Sequence, residues 1–128
     1  MEKANILIVD PDDCSRLLLE EILRSSISNS YQILSTSCGN EAFELLKKWN
    51  IRLVLMEINM KEMDGWEVAR SIKELYPEIP VIIQTATVTD DIGSKVNTTG
   101  ADSYLTKPLD SSVISNKVKE VLELSPSN

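Results

Sequence analysis

Short apolar runs alternating with stretches of helical period constrain this chain more than any other feature. Asn5 to Val9, Tyr31 to Ser35, Arg52 to Met56 and Val81 to Ile83 read as strands, and Gly100 to Leu105 as a short fifth. Between and after them, apolar residues recur every three or four positions, the mark of amphipathic helices. Strands alternating with helices build a parallel sheet covered on both faces. Near-continuous apolar strands are what burial on both faces demands.

The helices follow in order. Asp10 is expected as the N-cap of the first, with Pro11 at its first position, where a missing N–H costs nothing. Leu17, Leu18, Glu21, Ile22 and Arg24 follow, with an apolar face at helical spacing. The second helix starts at Gly39 and carries Ala42, Leu45, Leu46 and Trp49 over the core. The third runs from Gly65 to Tyr76, with Val68, Ala69, Ile72 and Leu75 inward. Thr87 to Gly100 gives the weakest helical signal, anchored only by Ile92 and Val96 and interrupted by Gly93. Asp110 to Leu124 forms the last, striped by Val113, Ile114, Val118, Val121 and Leu122. Ser125 to Asn128 reads as a frayed tail. With 128 residues, the chain reads as one domain over residues 1–128.

Composition removes several functions. The chain contains no histidine, which excludes Ser-His-Asp and Cys-His machinery and histidine-ligated metals. Cys14 and Cys38 match neither a disulfide framework nor a zinc spacing and are read as reduced packing residues. The net charge of −7 disfavours direct nucleic-acid binding, which needs clustered Lys and Arg. No run reaches the ~20 apolar residues of a membrane span, and the first residues do not read as a signal peptide. A cytoplasmic setting is expected.

Ligand sites in open α/β sheets lie outside the carboxyl ends of the strands. The residues there are Asp10 to Asp13, Glu57 to Asn59, Thr85-Ala86 and Lys107-Pro108. Carboxylates, a hydroxyl and an amine therefore converge from four strands. Such a group could hold Mg²⁺ and bind phosphoryl oxygens.

The motifs ILIVDPDD, LVLMEINMKEMDG, PVIIQTA and GADSYLTKPL, in that order, resemble the receiver domain of two-component response regulators over essentially the whole chain. The resemblance implies a flavodoxin-like (CheY-like) three-layer fold, a five-stranded parallel sheet in order 2-1-3-4-5 with five helices. It places Glu57 at the phosphoacceptor position, Asp10 at the first pocket acid and Asn59 where a backbone carbonyl ligates the metal. Thr85 falls at the phosphoryl-gripping hydroxyl, Tyr104 at the switch aromatic and Lys107 at the lysine that pairs with acceptor and phosphoryl group. It implies a cis bond before Pro108. It also implies a signalling module, not an enzyme, whose partner is a sensor histidine kinase or downstream effector. A homodimer through the fourth helix, fifth strand and last helix is part of the same expectation.

Two departures set this chain apart. The acceptor position holds Glu57 where the family has Asp, moving the carboxylate roughly 1.5 Å outward, about one carbon–carbon bond. Pro11 stands where the family has its direct metal-ligating acid, so Mg²⁺ is expected to bind weakly or not at all. Asp12 could swing toward the pocket in compensation. The preferred reading is an atypical receiver working through protein contact, and the competing one a phosphoacceptor receiver using Glu57 with Mg²⁺. A remote rival takes Asp10-Pro11-Asp12 as the D-x-D motif of haloacid-dehalogenase-like phosphohydrolases. Asp10 would then be the nucleophile and Asp12 the general acid.

Overall fold

The computed structural model describes residues 3–124, so the tail expected over Ser125 to Asn128 lies outside the described residues. Five strands, β1 (Ala4–Val9), β2 (Tyr31–Thr36), β3 (Ile51–Met56), β4 (Val81–Thr85) and β5 (Ser103–Thr106), pair in parallel in the order β2-β1-β3-β4-β5. Five helices alternate with them: α1 (Asp13–Ser26), α2 (Gly39–Lys48), α3 (Gly65–Leu75), α4 (Ile92–Thr99) and α5 (Ser111–Leu124). The alternation predicts such a parallel sheet, and its order is the flavodoxin-like one that the resemblance implies.

Strand side chains alternate between two cores, because successive residues point to opposite faces. Leu7, Val9, Val54, Met56, Val81 and Ile83 pack with α2, α3 and α4, around Ala42, Val68, Ile72 and Val96. Ile6, Ile8, Leu53, Leu55, Ile82 and Leu105 pack with α1 and α5, around Leu19, Leu23, Ile114 and Val118. Burying each such side chain contributes roughly 1.5–3 kcal/mol. The three inner strands supply most of these side chains, and the helices close over them.

Several expectations are corrected. The first helix begins at Asp13, and its N-cap is Asp12, whose carboxylate accepts from Ser15 N at 2.9 Å. Asp10 and Pro11 lie before it, because the Asp10 side chain is drawn into the sheet end. The helix starts two residues later than Asp10 capping would place it, and the buried face falls on Leu19, Ile22 and Leu23, while Leu17 and Leu18 are exposed. Trp49 caps α2 and is exposed, as are Leu75 at the end of α3 and Val113 on α5. Trp49 and Leu75 sit at helix ends, and Val113 lies in the first turn of α5. Cys14 is exposed and Cys38 partly so; both are free. The fifth strand starts only at Ser103, because Gly100 ends α4 in the left-handed conformation (φ 84°).

α4 is the least anchored helix, with eight residues, Ile92, Val96 and Thr99 buried and no side-chain cap at Asp91. By contrast, the loop between β3 and α3 is tightly drawn. Asn59 and Asp64 form a β-bridge, and Asp64 caps α3 by accepting from Trp66 N at 3.0 Å. A Cβ on Gly65 would lie 2.2 Å from Ile58 O, so only glycine permits this closure.

Candidate functional site

Four side chains meet at the carboxyl end of the sheet because their strands deliver them to one face. Asp10 continues the alternation of Ile6 and Ile8, Glu57 that of Leu53 and Leu55, Gln84 that of Ile82, and Lys107 that of Leu105. Sheet-like backbone bonds hold three of them: Asp10 N to Thr36 O (3.0 Å), Glu57 N to Val9 O (2.9 Å) and Lys107 N to Thr85 O (2.9 Å).

Lys107 Nζ donates to Glu57 Oε1 and to Asp10 Oδ2, both at 2.9 Å. Asp10 is wholly buried and Glu57 nearly so. The remaining carboxylate oxygens are also occupied. Glu57 Oε2 accepts from Ile58 N (2.9 Å) and Asn59 N (3.1 Å). Asp10 Oδ1 accepts from Asp12 N (2.9 Å), and its Oδ2 takes a second bond from Gln84 Nε2 (3.1 Å). Buried charges persist only when paired and hydrogen-bonded in this way. Burial opposes the charge on Lys107, but the bonds to Glu57 and then Asp10 outweigh it and hold the ammonium above the ordinary lysine range.

Thr85 is buried, and its Oγ1 accepts from Thr87 N at 3.1 Å. Asn59 Nδ2 donates to Thr87 Oγ1 at 2.8 Å and approaches Thr85 Oγ1 at 3.4 Å. Tyr104 lies on the edge strand, 38% exposed and turned away from the four-residue cluster. The Lys107–Pro108 peptide bond is cis. Pro11 brings no side-chain oxygen. Asp12, considered as a substitute acid or as a general acid, is exposed and engaged as the α1 cap. The bond from Ser15 holds its carboxyl below the usual aspartate range.

The structure thus brings Asp10, Glu57 and Lys107 together, sets Asn59 and Thr85 beside them, and keeps Tyr104 apart. Sequence reading missed Gln84. Its one available signal was a polar residue in a strand otherwise built for burial, Val81-Ile82-Ile83-Gln84-Thr85. It also missed Thr87. Among the described residues, no group of three His, Cys, Asp or Glu side chains is arranged to hold a metal ion.

Comparison with known proteins agrees with this geometry. Residues 6–119 match the family model described as the response regulator receiver domain. The transcriptional regulatory protein ZraR of Klebsiella oxytoca is 36% identical over 121 residues, 94% of this chain and 27% of that protein. The transcriptional regulatory protein SrrA of Staphylococcus aureus is 34% identical over 122 residues, 95% of this chain and 49% of that protein. The chain therefore spans half or less of these curated relatives. Among solved structures, a two-component response regulator from Clostridium difficile superposes with a TM-score of 0.87 at 26% identity, covering 97% of this chain and 99% of that one. The BeF3-activated DrrB receiver domain gives 0.83 at 27% identity, covering 96% and 99%.

Proposed function

This chain belongs to the response regulator receiver domain family, and from that premise we propose that it is an atypical receiver. It transmits its signal through protein–protein contact, without efficient phosphorylation of its acceptor position. One observation carries the proposal: Lys107 bridges Glu57 and Asp10, and all four oxygens of the two carboxylates accept hydrogen bonds.

The family's magnesium ion fits this donor set poorly. Mg²⁺ demands near-ideal octahedral oxygen ligation. Here Pro11 supplies no acid, Asp12 is a helix cap, and the Lys107 ammonium sits between the two remaining carboxylates. The extra methylene of Glu57 further misplaces the nucleophilic oxygen, and errors near 1 Å cost ~100-fold in rate. Glu57 facing Lys107 acts instead as a fixed negative charge. It offers about one unit, against the nearly two of a phosphoryl group.

The proposed partner is a protein, either a sensor histidine kinase or a downstream effector. Its contact surface is the α4-β5-α5 face, which also serves a homodimer. Tyr104 and Val113, both exposed, supply apolar area there. The net charge of −7 supports protein rather than nucleic acid as the direct partner. A cytoplasmic setting belongs to the same proposal; no helix among the described residues is long and apolar enough to cross a membrane.

Intact mass after incubation with Mg²⁺ and a small acyl-phosphate donor tests the proposal. The expected result is an unmodified chain. A stoichiometric phosphoryl adduct on Glu57 overturns it.

A further inference from the structure

The segment from Thr87 to Thr99 is held by little. Residues 86–91 are exposed, α4 buries three side chains, and Gly93 has nothing within 4 Å of where a Cβ would stand. Segments with few buried contacts open most readily. Two further side-chain contacts bear on it from the β3–α3 loop and α3. Lys95 lies over the Trp66 ring at 6.0 Å. The other contact is the 2.8 Å bond from Asn59 Nδ2 to Thr87 Oγ1, which crosses 28 positions of sequence.

Asn59 is a fixed post for that bond. Its backbone N–H donates to Glu57 Oε2, and its bridge to Asp64 closes the β3–α3 loop over Gly65. A continuous path therefore runs from Lys107 Nζ to Glu57 Oε1, from Glu57 Oε2 to Asn59 N, and from Asn59 Nδ2 to Thr87 Oγ1. Thr87 N then returns to Thr85 Oγ1. No link in this path needs a phosphoryl group or a metal ion.

We propose that Asn59 is the positioning residue that ties the β4–α4 loop, through Thr87, to the Glu57–Lys107 pair, and so sets the conformation of the α4 surface. This deepens the proposed function, on whose contact face it rests. The fixed charge at Glu57 orients Asn59, Asn59 holds Thr87, and the loop leading into α4 keeps one conformation.

Hydrogen–deuterium exchange on the full chain, without Mg²⁺ or phosphodonor, tests it. Asn59 and Thr87 are both exposed, so their substitution leaves the core intact. Asn59→Ala and Thr87→Ala are each expected to speed exchange over residues 87–99 by about two- to tenfold, the range of one net hydrogen bond. Thr87→Ser, which keeps the hydroxyl, is expected to restore protection. The double alanine variant is expected to exchange no faster than either single one, because both remove the same bond. Glu57→Ala is expected to speed the same segment in the wild-type background but not in Asn59→Ala. Additive effects, changes confined to residues 59–64, or a Glu57→Ala effect that survives in Asn59→Ala each overturn the proposal. The readout is independent of phosphorylation. A phosphoryl adduct sinks the atypical-receiver reading and leaves the tie standing, and the reverse outcome does the opposite.

Discussion

Lys107 Nζ lies 2.9 Å from Glu57 Oε1, joining residues 50 positions apart in sequence, and the same nitrogen lies 2.9 Å from Asp10 Oδ2. One ammonium thus serves two buried carboxylates at the strand ends. Backbone N–H groups and the Gln84 amide donate to the other carboxylate oxygens, so each buried oxygen has a partner.

Removing that ammonium leaves both carboxylates uncompensated. Lys107→Met is expected to cost about 3 kcal/mol of stability at neutral pH, the scale of a broken buried ion pair. Urea unfolding checks this. The pH dependence follows from the sign of the shift. The folded-state pKa of Lys107 is raised above the ordinary 10.5. Its contribution is therefore fully present below 10.5 and is lost as pH rises through the higher folded value. The stability gap between wild type and Lys107→Met is expected to stay level from neutral pH up to 10.5 and to narrow above it.

Restoring the family's acids tests what the two departures have removed. Pro11→Asp with Glu57→Asp is expected to gain both Mg²⁺ binding and a phosphoryl adduct, read by calorimetric titration and intact mass. Glu57→Asp alone is expected to gain less, because the position of the second pocket acid still holds proline. Equal gains would show that Pro11 is not what limits the metal.

Much of this is legible in the amino-acid sequence, and the reasons are local. The apolar runs Leu53 to Met56 and Val81 to Ile83 could only be buried strands, and a parallel sheet fixes where their ends point. That alone brought Asp10, Glu57 and Lys107 to one rim. Helix starts were less legible. Asp10, Asp12 and Asp13 are all competent caps, and the choice fell to Asp12 only because Lys107 and Gln84, distant in sequence, claim Asp10. Leu17 and Leu18 are exposed on the helix that follows. Gln84 gave only a weak signal, its polarity in a buried strand, and a polar residue at a strand end is ordinary until its partner is known. The Asn59–Thr87 bond joins two loops, whose relative position no periodicity encodes.

Two glycines give opposite expectations. Gly65→Ala places a Cβ 2.2 Å from the Ile58 carbonyl oxygen and 2.3 Å from its Cα. Backbone must move, the Asn59–Asp64 bridge opens, and a loss of at least about 2 kcal/mol is expected. Gly93→Ala meets nothing within 4 Å and sits inside α4. Replacing a helical glycine by alanine is expected to stabilise by about 0.5–1 kcal/mol. Thermal unfolding of the two variants separates close approach from conformational freedom.

Gln84 poses a balance between two terms of opposite sign. Its Nε2 donates to the buried Asp10 carboxylate, and bonds to a charged group are worth about 1.5–3 kcal/mol. Its Oε1 is buried and accepts no hydrogen bond from any described residue, a cost of about 1–3 kcal/mol. Gln84→Leu removes both, so its net effect is expected to stay within about 1 kcal/mol of wild type. Gln84→Glu keeps the shape but sets a third carboxylate against Asp10, and is expected to lose about 3 kcal/mol or more at neutral pH. Lowering the pH toward 5 is expected to recover part of that loss as the introduced carboxyl takes up a proton, whereas Gln84→Leu gains nothing from the change. Urea unfolding of both variants at pH 7 and pH 5 reads the difference. A leucine variant as damaged as the glutamate one would mean that the amide's hold on Asp10, rather than the balance with its unpartnered oxygen, is what the pocket depends on.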